Sequence, residues 1–131
     1  MTRYLLDTDV LVDSSKGIEP VTSRLLAWIE GTEIVAVCAI SIAEFSAGLT
    51  RDQADRAQPF LSSLTYWDIS RQAALRAGRD RYSFARQGVT ISTTDALLAA
   101  VARENGATLV TSNLKDFPME DVALLSLRRP G

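Results

Sequence analysis

The chain contains no histidine. Ser-His-Asp and Cys-His nucleophilic machinery are therefore excluded. Cysteine is almost as scarce. Cys38 stands alone, so no intramolecular disulfide forms, and a Cys/His zinc site is excluded with it. Cys38 lies in the apolar run Val35-Ala36-Val37-Cys38-Ala39 and reads as a small core residue. Lysine is rare, two against 12 arginines. No uninterrupted apolar stretch approaches the roughly 20 residues that a bilayer span requires. An acid, Asp7, arrives before the apolar region of a signal peptide could form. The expectation is a cytoplasmic protein with no membrane partner, which suits an unpaired cysteine.

What is present is globular in proportion: 131 residues, 47% hydrophobic and 23% charged. That length fits one domain over residues 1–131 and allows a core without covalent or metal staples. With 14 basic and 16 acidic residues, net −2, binding of nucleic acid by bulk charge is ruled out, but a local basic surface is not. A catalytic site in this chain must draw on carboxylates, hydroxyls, amides, arginine and two lysines.

Apolar periodicity predicts strands at residues 4–6, 33–39, 66–69, 107–111 and 122–127. Between them it predicts a helical turn at 10–15 and helices at 20–30, 41–49, 50–64, 70–87 and 92–105. Pro20 reads as a first-turn residue, and Gly31, Gly88 and Gly106 as terminators. Residues 128–131 read as a frayed tail. Strands that are apolar throughout and separated by helices imply an α/β fold on a parallel sheet covered on both faces.

In such a sheet function gathers at the carboxyl ends of the strands. Asp7 and Asp9 follow the first strand, Asp116 follows the fourth, and Glu44 and Asp95 stand in first turns of helices. Each position has a structural alternative. Ser41-Ile42-Ala43-Glu44 and Ser92-Thr93-Thr94-Asp95 match a capping pattern, Asp9 fits a helix N-cap and Asp116 fits a turn. Asp7 is harder to explain this way, because an acid closing a buried strand needs a partner. Gathered together, these acids repel one another. The natural compensator is a hard divalent cation such as magnesium or manganese, which takes oxygen ligands. Such an ion supports phosphodiester hydrolysis without histidine.

Four segments carry a resemblance: Leu5-Leu6-Asp7-Thr8-Asp9-Val10-Leu11, Glu44 within Ser41-Ile42-Ala43-Glu44-Phe45, Thr94-Asp95-Ala96-Leu97-Leu98-Ala99-Ala100, and Leu109-Val110-Thr111-Ser112-Asn113-Leu114-Lys115-Asp116-Phe117. In this order they resemble the PIN-domain ribonucleases, and most of all the VapC toxins of VapBC toxin–antitoxin pairs. The resemblance implies a three-layer α/β/α sandwich on a central, mostly parallel five-stranded sheet. It implies Mg²⁺- or Mn²⁺-dependent endonucleolytic cleavage of RNA. It assigns catalysis to Asp7, Glu44, Asp95 and Asp116, the metal to Asp7 and Asp95, and support of the site to Thr8, Thr111 and Asn113. It further implies a homodimer neutralised by a VapB-type antitoxin. Asp9 stands where the family more often has Asn or Ser, a fifth carboxylate that either supports the metal site or caps a helix.

The segment 71–86 carries Arg71, Arg76, Arg79, Arg81 and Arg86 against a single acid, Asp80. These are candidate RNA contacts, since guanidinium suits phosphate; a solvated helix face is the plainer alternative. Trp67, Tyr66 and Tyr82 are candidates for base stacking or for packing. Leu11, Val12, Leu25, Leu26, Trp28 and Ile29 are candidates for an antitoxin groove or for the core. Two other enzyme classes fit poorly. A haloacid-dehalogenase-like phosphatase expects Thr or Val where Leu11 stands, and a receiver domain expects an acid where the second strand exits into Cys38-Ala39-Ile40. A catalytically weak PIN fold that binds RNA or a partner is the non-enzymatic alternative.

Overall fold

The computed structural model describes residues 1–128. Its elements run β1 (Arg3–Leu6), α1 (Thr8–Ser15), α2 (Val21–Glu30), β2 (Ile34–Cys38), α3 (Ala39–Ala47), α4 (Arg51–Ser63), β3 (Thr65–Trp67), α5 (Arg71–Ala85), α6 (Thr93–Glu104), β4 (Thr108–Val110), a 3₁₀ turn (Leu114–Asp116) and β5 (Leu124–Leu125). All four strand pairings are parallel, in the order β3-β2-β1-β4-β5. The chain winds outward in one direction from β1 to β3 and in the other from β4 to β5. The switch point therefore lies between β1 and β4, where ligand crevices form in such sheets.

Strand side chains alternate between two cores, which is why each strand reads as a continuous apolar run. Leu5, Ala36, Cys38 and Leu109 face a layer formed by α5 and α6. Leu6, Val35, Val37 and Val110 face a layer formed by α1, α2 and α3. The first layer is rich in alanine, with Ala73 and Ala77 of α5 against Ala96, Ala99, Ala100 and Ala102 of α6. Small residues let these two helices approach closely, and paired charges bind them together. Arg103 of α6 bridges Asp80 of α5 at 2.8 Å and Asp121 at 2.9 Å, and Arg76 of α5 reaches the same two acids. In the second layer Tyr4 stacks on Trp28 with ring centroids 3.7 Å apart. These layers make the α/β/α sandwich, with a sheet that is wholly parallel among the described residues. No described helix is long and apolar enough to cross a membrane.

Element boundaries differ from the sequence reading in instructive ways. α1 begins at Thr8 rather than residue 10, because the Asp7 carboxylate caps it by accepting the Thr8 N–H. α3 begins directly after the last residue of β2, at Ala39 rather than residue 41. Pro20 sits at the N-cap of α2 instead of inside its first turn, and the Glu19–Pro20 peptide is cis. β3 starts one residue before the expected 66–69 run and stops at Trp67, and β5 covers only two residues of the 122–127 run. Gly106 ends α6 as expected: at φ +60° it lets the Ala107 N–H bond back to the Ala102 carbonyl.

The tail expectation fails at its first residue, and residues 129–131 lie outside the described residues. The Arg128 guanidinium forks onto the buried Asp13 carboxylate at 2.7 and 2.8 Å, fixing the C-terminal segment to α1. Substituting Arg128→Ala is expected to lower the unfolding free energy by about 1–3 kcal/mol, because Asp13 stays buried without those donors. Urea denaturation measures this, and adding Asp13→Asn to that variant should cost less than the two single changes summed.

Candidate active site

The switch point places Asp7 at the centre of the acidic edge. It follows β1 directly and is 9% exposed. Its backbone N–H donates to the Val110 carbonyl at 2.9 Å, so the end of β4 holds it in register. One carboxylate oxygen accepts the Thr8 N–H at 2.7 Å and the other accepts the Thr111 hydroxyl at 2.9 Å. Burial pushes the Asp7 pKa up from 3.8 to about 6; the two hydrogen bonds oppose this, and the charges of Asp9 and Asp95 add to it.

The other acids stand around it on different elements. Asp95 is in the first turn of α6, whose N-cap Ser92 accepts the Asp95 N–H at 3.1 Å. Its pKa is raised, by burial first, and by the like charges of Asp116 and Glu44, while Ser92 pulls it down. Asp116 closes the 3₁₀ turn after β4, exposed, with its N–H on the Asn113 carbonyl at 3.0 Å. Glu44 is exposed on the second turn of α3, a turn deeper than expected, and accepts the Thr8 hydroxyl at 2.7 Å. Thr8 thus links two carboxylates, giving its N–H to Asp7 and its hydroxyl to Glu44. Thr111, fully buried, also accepts the Asn113 N–H at 3.0 Å.

Two capping readings are corrected. Asp9 is not the N-cap of α1; Asp7 is, and Asp9 instead accepts the backbone N–H and the hydroxyl of Ser112. Ser41 does not cap a helix either. It is buried, and its hydroxyl donates to the Leu6 carbonyl at 2.9 Å, pinning α3 to the end of β1. Sequence reasoning missed both roles, since each depends on a partner remote in sequence. The capping reading of Ser92 holds.

The charged neighbours that act most on Asp7 and Asp95 are themselves carboxylates. An all-oxygen, mutually repelling donor set fits a hard divalent cation. Among the described residues no three of Asp, Glu and Cys come together closely enough to share one ion. A magnesium ion needs only one or two carboxylates, with water or substrate oxygen for the rest.

The arginines of α5 do not act as one group. The Ser70 hydroxyl, at the start of α5, donates to Glu104, at the end of α6, while the Arg81 guanidinium donates to the Ile91 carbonyl just before α6 begins. The two helices are therefore antiparallel. Arg71 lies at the end remote from Asp95, and Arg81 and Arg86 lie at the near end. Arg76 is engaged by Asp80 and Asp121, and Arg86 covers the Tyr82 ring at 5.6 Å. Arg79 stays exposed on a shallow face with Leu75 and Tyr82. Leu11 and Leu25 are core, and Val12, Trp28 and Ile29 pack against it, which leaves only Leu26 of the expected groove exposed. The open cleft shares only Val12 with that groove. It has about 740 Å³ between α1, α3 and α4, lined by Val12, Lys16, Phe45, Leu49, Arg56 and Phe60, with Glu44 on its wall.

A family model for the PIN domain matches residues 4–122. The chain is 32% identical over 118 residues to Ribonuclease VapC19 of Mycobacterium tuberculosis, across 88% of this chain and 92% of that protein. It is 27% identical over 123 residues to the tRNA(fMet)-specific endonuclease VapC of Salmonella typhimurium, across 89% and 91%. Among solved structures it is similar to a chain of the crystal structure of VapBC2 from Rickettsia felis bound to a DNA fragment from their promoter. The TM-score is 0.84 at 26% identity, covering 95% of this chain and 98% of that one.

The Asp7 environment generates a stability prediction. A carboxyl whose pKa rises from 3.8 unfolded to about 6 folded binds a proton more readily in the folded state. Stability should therefore fall as pH rises from about 4 to about 6 and level off above. Asp7→Asn is expected to flatten this decline and to stabilise the metal-free protein near pH 7.5 by on the order of 1–3 kcal/mol. Urea titrations in EDTA at pH 5 and pH 7.5 read both effects; parallel declines in wild type and variant would remove the argument.

Proposed function

Starting from a chain that belongs to the PIN domain family, we propose that it is an endoribonuclease of toxin–antitoxin type that hydrolyses RNA phosphodiester bonds. The observation that carries this reading is Asp7 itself. It is a buried carboxylate at the switch point, raised to a pKa of about 6 and facing other carboxylates. Such an arrangement is destabilising unless a cation completes it. Asp7 and Asp95 would hold Mg²⁺ or Mn²⁺, which would supply phosphoryl polarisation and activation of water. Thr8 and Thr111 orient Asp7 by donating to its two oxygens, and Thr8 also orients Glu44. Asp116 and Glu44, both exposed, stand on the open side, where a substrate strand and its leaving oxygen would lie. The working unit is a single PIN domain spanning residues 1–131.

Partners follow from the same reading. Of the α5 arginines, Arg81 and Arg86 lie at the Asp95 end and would take phosphate, with Arg79 beyond them. A VapB-type antitoxin would neutralise the chain, and the cleft between α1, α3 and α4 supports its docking there beside Glu44. A homodimer is the proposed assembly, with the exposed Leu75 and Tyr82 of α5 as apolar surface for a second copy. A binding module without cleavage is favoured by one observation, that no three described acids share an ion.

Purified protein incubated with a panel of RNAs in Mg²⁺ or Mn²⁺ should cleave at least one of them. EDTA should stop the reaction, and Asp7→Asn or Asp95→Asn should slow it by at least about 100-fold. Cleavage that persists in EDTA or in either variant overturns the proposal, and RNA binding without cleavage supports the binding module. Mn²⁺ should raise the melting temperature of wild type and not of Asp7→Asn.

A further inference from the structure

We propose that Asp9 is a positioning residue, whose carboxylate clamps the loop carrying Asp116 onto the start of α1. Asp9 is the second residue of α1 and its Oδ2 accepts two donors from Ser112, the backbone N–H at 2.7 Å and the hydroxyl. Ser112 stands between two other fixed points. Thr111 before it is buried and bonded to Asp7, and Asn113 after it gives its N–H to Thr111 and takes the Asp116 N–H on its carbonyl. The run from Thr111 to Asp116 is therefore tied to the β1–α1 junction twice, at Asp7 and at Asp9, across about a hundred residues of chain. The first tie uses a carboxylate placed in the candidate catalytic set. The second leaves that set free and sets where the loop, and with it Asp116, stands relative to Asp7.

The two oxygens of Asp9 are used unequally. Oδ2 carries both Ser112 donors, while Oδ1 is buried with no hydrogen-bond partner among the described residues. A bond to a charged acceptor is stronger than one between neutral groups, and this single oxygen concentrates it on the loop. The tie needs one acceptor oxygen at that point, which an asparagine carbonyl also supplies. A fifth ligand would need the charge. Asp9→Asn and Asp9→Ala therefore separate a clamp from a ligand.

The experiment measures amide hydrogen exchange from Ser112 to Asp116 together with kcat and KM for RNA cleavage, in wild type, Asp9→Asn and Asp9→Ala. Only the kinetic arm rests on the nuclease reading. Asp9→Ala is expected to speed exchange at the Ser112 amide by about 10-fold or more. It should lower kcat by about 10-fold with KM within about 3-fold, as for a misplaced group that acts in the transition state. Asp9→Asn should restore exchange and kcat to within about 3-fold of wild type. The two readouts must move together in every variant that folds. Unchanged exchange in Asp9→Ala overturns the clamp. So does an Asp9→Asn protein that stays protected but loses activity, since charge is then what matters. If the wild-type protein cleaves no RNA, the nuclease reading fails by itself and the exchange data still decide the clamp.

Discussion

A carboxylate held in low dielectric at a strand end organises the acidic edge of this molecule. Asp7 caps α1, takes the Thr111 hydroxyl and gives its own N–H to the end of β4. The cap is local and the other two contacts reach across more than a hundred residues, and together they lock β1, α1 and β4 in one arrangement around a group whose ionisation burial disfavours. Moving Asp7 would uncap a helix and release a loop together. The like charges of Asp9 and Asp95 act on Asp7, and those of Asp116 and Glu44 act on Asp95, so one repulsive field spans four elements. A cation that relieves this repulsion would stabilise the fold and equip the site at once, linking stability to function through a single group.

The supporting polar groups are arranged to keep that field in place. Ser41 pins α3 to the end of β1, so that Glu44 is presented from a fixed helix, and Ser92 fixes the first turn of α6 under Asp95. Across the sheet, α5 and α6 are bound by close alanine packing and by the Arg76–Asp80–Arg103–Asp121 charges, which seat α6 beneath its acid. Arginines that look alike in composition therefore do different work. Arg76 and Arg103 join elements, Arg128 holds Asp13, and Arg81 holds the segment before α6.

Much of this was legible in the sequence. The alternation of strands and helices, the apolar character of every strand and the parallel sheet agree with the structure, because period-2 burial on both faces leaves an unbroken apolar run. Asp7 and Asp116 follow strands and Asp95 opens a helix as expected, while Glu44 lies a turn deeper in α3. Boundaries moved where a cap decided them, as at Asp7 for α1, and where chain direction turned without a loop, as between β2 and α3. The expected groove on α1 and α2 was mostly core, since the amphipathic pattern of Leu11 and Leu25 cannot tell a sheet from a partner as the covering surface.

Asp9 marks the boundary between the two kinds of knowledge. The sequence by itself determined which residue types stand at the carboxyl ends of the strands, and that no histidine is among them. Only the tertiary structure decided the division of labour: Asp7 as cap, Asp9 as the acceptor for Ser112, Ser41 as a pin, and which end of α5 lies toward Asp95. The reason is that a hydrogen bond is chosen by what lies within about 3 Å. For Asp7 and Asp9 that neighbour comes from more than a hundred residues away, brought there by the register of β1 on β4.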